Sequence, residues 1–299
     1  TITAEQMTVV LDAFHKRSEE DMAGTPLWLT LVVHLAATWH SYDTAPTIPT
    51  SVRGLIINLF ERLAERRGKE LVRKALACIT LCKDGVSEVE LAHLLSLDDA
   101  ALAEQYEWWV PPVRVVPCIV VTRLLADLRP YLATRGSGSA MGWYHRQFWE
   151  AAEAWLFHKG SQLRQRVHAE LAEYFSGVHH AAEKRYTPTL CEVVRKHIRD
   201  EEAGDRLVPA QNYELSGDVF ATGSAAVRLN ERRLAEYVHH CMCAGLDEKT
   251  MHELTSVMYI LCKFEAGMGT ELQLELIEAM DVVPARTKEL NMVKSFVGK

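Results

Sequence analysis

Gly136-Ser-Gly-Ser-Ala-Met-Gly-Trp-Tyr-His-Arg-Gln-Phe-Trp-Glu-Ala-Ala-Glu-Ala-Trp-Leu-Phe157 is the stretch that decides how this chain is read. A glycine-serine tip, a short apolar strand and then apolar residues at helical spacing predict a hairpin running into a helix. Phe148, Ala152, Trp155 and Leu156 recur three to four apart, so one face of that helix is buried. His145 stands just before it, at the edge of the packed core. Upstream, Val120 to Leu132 reads as an apolar helix. Further back, Ser87 and Glu90 have the spacing of a capping box, which predicts a second helix starting there.

Helix, helix, glycine-tipped hairpin is the order of a winged helix, expected over residues 70–157. Its other short helices are Leu71 to Lys83, Ser87 to Leu95 and Ala100 to Trp108, after which Pro111, Pro112 and Pro117 force an extended passage. Before it, amphipathic spacing predicts helices over Ala4 to Arg17, Leu27 to Trp39 and Ser51 to Arg67, one small bundle within residues 1–69. After it, in residues 158–299, Ser161 to Phe175, Leu190 to Glu202, Ala226 to Ala244, Lys249 to Ala266 and Glu271 to Met280 read as helices that pair into hairpins. No 34-residue period runs through them, and Gly204 to Gly223 reads as a long loop. The expected fold class is therefore mainly α: a helical bundle, a winged-helix domain with a small β-hairpin wing, and a helical-hairpin arm.

A 48% hydrophobic composition and a mean hydropathy of -0.07 are those of a soluble globular protein. The long apolar run from Pro26 to Trp39 is interrupted by Thr30 and His34 and falls short of the roughly 18–20 residues that cross a bilayer, so no membrane contact is expected. The net charge of -7 gives no overall attraction to phosphate backbones, and no nucleic-acid partner is expected. The seven cysteines, Cys78, Cys82, Cys118, Cys191, Cys241, Cys243 and Cys262, fall mostly in apolar helical segments, which predicts reduced, buried thiols in a cytoplasmic or nuclear compartment.

The segment around the hairpin resembles the winged-helix part of NACHT-type STAND ATPases, the signal-transducing P-loop family. Thr25-Pro26-Leu27-Trp28-Leu29 is similar to the strip that opens a helix in that family's helical domain, and Ile48-Pro49 through Leu63 resembles its next helix. Lys69 to Val72 through Asp84-Gly85-Val86-Ser87-Glu88-Val89-Glu90-Leu91 resembles its glycine-leucine-serine-glutamate signature. Asn230 to His240 and Phe264 to Leu274 resemble the helical arm that precedes the repeats in the WD-repeat, telomerase-associated branch. The family's phosphate-binding loop ends in glycine, lysine and a hydroxyl residue, and this chain has none. Gly68-Lys69 is followed by Glu70, whose carboxylate repels phosphate, and Gly298-Lys299 ends the sequence. The chain is expected to be the C-terminal helical and winged-helix portion of a longer protein, not itself an enzyme and with no cofactor of its own, while the parent binds ADP or ATP.

The resemblance implies two places where the missing core's nucleotide is touched. A histidine in this region of the winged helix reaches the terminal phosphate of ADP, which assigns His145, with Arg146 as the weaker alternative. The bland alternative is a histidine that caps a helix. Pro26 matches the proline that packs on adenine; its bland alternative is helix initiation. His239-His240-Cys241-Met242-Cys243 has metal-ligand types, with His239 and Cys243 one turn apart, but no second cluster accompanies it in sequence, so core positions and no metal are expected. His179-His180 reads as solvated, Cys78 and Cys82 as buried and unreactive, and Trp108-Trp109 as pinning a loop. The helix from Val120 offers only Arg123 and Arg129 among apolar residues, a composition for burial rather than for reading a DNA groove.

The expected function is a non-catalytic regulatory and scaffold segment that couples the nucleotide state of a missing NTPase core to a sensor or partner-binding domain. Its partners are then that core, a WD-repeat domain and other proteins. The alternative is a nucleotide-independent helical interaction module.

Overall fold

Thr3 and Gln6 exchange side-chain and backbone bonds in a capping box that starts α1 (Ala4–His15). The computed structural model describes residues 2–16, 25–42, 47–106, 114–135, 139–157, 162–181, 206, 208–215 and 228–297. Helix α2 (Thr25–Ala36) buries Trp28, Leu31 and Val32, and Trp28 Nε1 donates to Pro49 O at 3.2 Å. Ser51 caps α3 (Val52–Arg67) by accepting from Gly54 N.

Gly68, at φ +109°, ends α3 and begins α4 (Lys69–Leu81) without an intervening loop. Having no side chain, it cannot cap α4; Glu104 of α6 (Asp99–Gln105) does so instead, its Oε2 accepting from Glu70 N at 2.9 Å and Leu71 N at 3.0 Å. Helix α5 (Glu88–Ser96) begins at the expected Ser87–Glu90 capping box.

Helix α7 (Cys118–Leu128) buries Val121, Leu124, Leu125 and Leu128. It ends before the expected Leu132 because Pro130 has no N–H to continue it; a 3-10 turn over Arg129–Tyr131 leads into β1 (Leu132–Arg135). β1 pairs antiparallel with β2 (Ala140–Trp143), Leu132 facing Trp143, and Met141 also exchanges backbone bonds with Val86 at 2.8 and 3.0 Å. Gly85, at φ +81°, makes this third pairing possible, since a Cβ there would lie 2.4 Å from Met141 O. Gly85→Ala is expected to destabilise by about 1–3 kcal/mol through backbone strain, read as a lower urea midpoint; an unchanged midpoint refutes it.

Helix α8 (Arg146–Leu156) packs on α3 and α4. It is followed by α9 (Leu163–Ser176), a single turn α10 (Val178–Ala181), and α11 (Glu231–Ala244). Part of the expected Gly204–Gly223 loop is strand: β3 (Glu214–Leu215) pairs with β4 (Arg228–Leu229). The helix expected from Ala226 therefore begins at Glu231, where Asn230 Oδ1 caps it by accepting from Arg233 N.

The single helix expected over Lys249–Ala266 is two, α12 (Asp247–Leu254) and α13 (Val257–Glu265), because Ser256 adopts extended backbone and caps the second. Helices α14 (Gly269–Val282) and α15 (Thr287–Val297) complete the chain. Of the expectations above, the Leu190–Glu202 helix, Cys191, Trp108–Trp109 and the glycine tip at 136–138 lie outside the described residues.

Fifteen helices and two small sheets among the described residues make the chain mainly α. One core runs from Ala13 through Phe60, Leu124 and Phe175 to Tyr237 and Cys241. A second joins Leu234, Val238 and Met242 to α12–α15. Adjoining faces of α11 thus serve both cores, and α9 packs along it. Among the described residues no helix is long and apolar enough to cross a membrane.

Candidate functional site

His145 is the N-cap of α8: its backbone is extended and its Nδ1 accepts from Gln147 N at 3.2 Å. An imidazole nitrogen that accepts carries no proton, so the neutral ring holds its proton on Nε2 and offers it outward as a donor. The residue is exposed, at the start of a helix whose next turn is well packed. Phe148, one turn on and fully buried, stacks on Tyr131 at 5.0 Å and Trp143 at 5.6 Å between ring centroids. Trp143 Nε1 donates to Thr80 Oγ1 at 3.0 Å and Trp149 Nε1 to Thr80 O at 3.1 Å, tying the helix start to α4.

A hollow of about 310 Å³ opens beside His145, lined also by Lys83, Arg135, Arg146, Tyr144 and Trp149. Arg135 donates to Trp143 O at 3.1 Å, exposed Arg146 pairs with Glu150 at 2.7 Å, and Lys83 lies 3.5 Å from Glu271. The rim presents hydrogen-bond donors and positive charge, the chemistry that receives an anion such as a phosphate. His145 and Arg146 therefore share one surface.

Pro26 does not line that hollow. It is the second residue of α2 and exposed, where its missing N–H costs the helix nothing, and its carbonyl also accepts from Thr30 Oγ1 at 2.9 Å. The far end of α2 reaches the hairpin region, where His34 Nδ1 and Tyr131 Oη are 2.9 Å apart. Beside this contact lies a larger hollow of about 530 Å³ whose lining includes His34, Arg62, Arg66, Asp127 and Tyr131. Burial pushes the Tyr131 hydroxyl up to about 12.

Where α9 meets α11, the structure adds His168 to the His239-His240 pair. His168 and His240 are buried, with their Nδ1 atoms 2.9 Å apart, and His240 Nε2 lies 3.3 Å from Glu236 Oε2. Burial first, then the neighbouring imidazoles, hold His168 down to about 3 and His239 to about 4, so both rings are neutral at pH 7. Glu236 is occupied by structure: it accepts from Lys83 N at 2.9 Å, Asp84 N at 3.0 Å and Arg232 Nη1 at 3.0 Å. His168 was overlooked in the sequence; the signal available was its position on the same helical face as Leu171, Ala172 and Phe175, all buried.

Burial pushes the Cys78 thiol up to about 12 and Cys82 well above its usual value, leaving both as inert core residues, whereas Cys118 is exposed. His179 corrects the expectation of a solvated pair: it is buried, with Nε2 3.6 Å from Glu173 Oε2, while His180 is exposed.

The chain belongs, by its relatives, to the NACHT and WD-repeat class of proteins, as a NACHT-related segment lacking the P-loop core. The human NACHT domain- and WD repeat-containing protein 1 is 32% identical over 250 residues, 82% of this chain and 15% of that protein. The mouse protein of that name is 31% identical over 258 residues, and mouse NACHT and WD repeat domain-containing protein 2 is 26% identical over 276. The chain thus spans about 15% of the length of these relatives. No family model matches the chain. No solved structure matches it.

Proposed function

We propose that this chain is a non-catalytic regulatory and scaffold segment of a cytoplasmic or nuclear STAND-type signalling ATPase, in which α4 to α8 with their hairpin act as the winged helix. In this reading the segment closes on ADP held by the protein's own NTPase core and releases on exchange, and α11–α15 pass the change to a WD-repeat or other partner domain. The carrying observation is the placement of His145: an exposed Nε2–H donor, fixed by the Phe148 stack, on the rim shared with Lys83, Arg135 and Arg146. Such a rim suits a terminal phosphate offered by another domain.

The test is nucleotide titration of a polypeptide joining this chain to its NTPase core. His145→Ala removes both the donor and the cap, whereas His145→Asn keeps a good N-cap with a shorter reach. A fall in ADP affinity of about tenfold in both variants, roughly 1.4 kcal/mol, is expected. Unchanged affinity in His145→Asn removes the contact from the mechanism.

A second reading, a nucleotide-independent interaction module, draws on α13–α15. They expose Val257, Leu261, Leu274, Met292 and Phe296, the last 75% accessible. Such apolar exposure suits a protein partner.

A further inference from the structure

We infer that His168, His239 and His240 form a tri-imidazole site for a borderline-soft divalent cation of the zinc type, holding α9 against α11. The three rings make a nearly equilateral triangle: centroids are 5.1 Å apart for His168–His240, 5.2 Å for His239–His240 and 5.8 Å for His168–His239. Imidazoles bound at about 2.0–2.1 Å to one tetrahedral Zn²⁺ place their centroids about 5 Å apart. One nitrogen from each ring already lies within 4.8 Å of one from each of the others.

The hydrogen-bond pattern points the same way. Glu236 Oε2 lies 3.3 Å from His240 Nε2, outside hydrogen-bond geometry, yet its charge favours a proton on that nitrogen and so a lone pair on Nδ1. Carboxylate, imidazole and cation in line is the arrangement that fixes a metal-binding histidine. His168 has no tautomer that satisfies both of its nitrogens. With its proton on Nδ1 it donates to His240, and its Nε2, buried with no partner, becomes a bare lone pair. With its proton on Nε2, two lone pairs face each other at 2.9 Å. A cation between those lone pairs turns that repulsion into two bonds, a role that neutral imidazole nitrogens are suited to.

Half-buried His239 opens the triangle towards solvent and gives the ion its way in. Cys243 Sγ, 3.8 Å from His239 Nε2, lies outside the three-imidazole group, which leaves the fourth position to a solvent molecule. Because α11 serves both cores, a cation here would fasten the hairpin-bearing half of the molecule to the C-terminal helices. The proposal is independent of any nucleotide contact at His145.

The experiment uses the 299-residue chain without a polyhistidine tag. Apo-protein is titrated with Co²⁺ and followed by visible absorption, then with Zn²⁺ in competition against a chromogenic chelator. Two variants are run alongside: His168→Asn, and His239→Ala at the less buried position, where folding is checked by circular dichroism. The expected result is about one equivalent of Co²⁺ with the intense absorption of tetrahedral coordination, displaced by Zn²⁺. Binding of Zn²⁺ should weaken at least tenfold in folded His239→Ala. Absence of that absorption in the wild type overturns the proposal, and so does Zn²⁺ binding that folded His239→Ala leaves unchanged. If His168→Asn fails to fold, His239→Ala alone decides.

Discussion

Glu236→Ala is expected to lose about 3–5 kcal/mol of stability, the penalty for breaking a buried, hydrogen-bonded ion pair from one side. The carboxylate is fully buried on α11 and holds three donors, the N–H groups of Lys83 and Asp84 in the turn after α4 and the Arg232 guanidinium, with His240 Nε2 3.3 Å away. Alanine leaves both backbone amides without an acceptor and removes one of Arg232's carboxylate partners, leaving it Glu90 and Gly85 O. Glutamine is not a benign replacement. Its amide nitrogen must face a donor wherever it is turned, because both carboxylate oxygens now receive N–H groups. The measurement is thermal unfolding, with Tm expected to fall by roughly 10 °C in Glu236→Ala, at about 2–4 °C per kcal/mol for a chain of this size class. A fall under about 3 °C means the amides find other partners and the joint between α4 and α11 rests on apolar packing alone.

That joint also shows why the sequence revealed some features and hid others. The capping box at Ser87 and Glu90 is written in four consecutive residues, so local chemistry suffices to find it. The hairpin leading into α8 announces itself by a change of period from two to 3.6 after Trp143. His145 was legible for the same reason, as the residue at that change. By contrast, Glu236 looks like any charged residue on an amphipathic helix. Only the fold brings Lys83 and Asp84 to it across more than 150 positions. His168 meets His240 across 72 positions, and no spacing rule spans that gap. The break between α12 and α13 was missed because Thr255 and Ser256 interrupt a pattern whose apolar period continues on either side. Helix α15 was missed because its apolar residues are split between Leu290 and Val297, which are buried, and Met292 and Phe296, which are not. Pro26 starts a helix in the structure; the adenine contact implied by resemblance involves a partner surface that this chain does not contain.

Phe148→Ala carries the other large effect and joins stability to the proposed switch. Its ring is fully buried between Tyr131 and Trp143, with Tyr144 at 5.7 Å, so truncation removes core volume and breaks offset stacking. A loss of about 3–5 kcal/mol is expected for a buried Phe→Ala, read from urea unfolding. The position of the residue adds a local consequence. Phe148 N donates to His145 O at 3.0 Å, so a cavity at this residue is expected to free the first turn of α8. The amide of Gln147, which His145 Nδ1 accepts, should then exchange with solvent faster by a larger factor than amides in the middle of α8. Equal acceleration along the whole helix would instead report global unfolding and would detach His145's placement from the aromatic stack. Phe148→Leu separates the two effects, since leucine retains much of the apolar burial but cannot stack. Near-normal urea stability together with fast exchange at Gln147 in that variant would show that aromatic contact, beyond mere burial, sets where the imidazole stands.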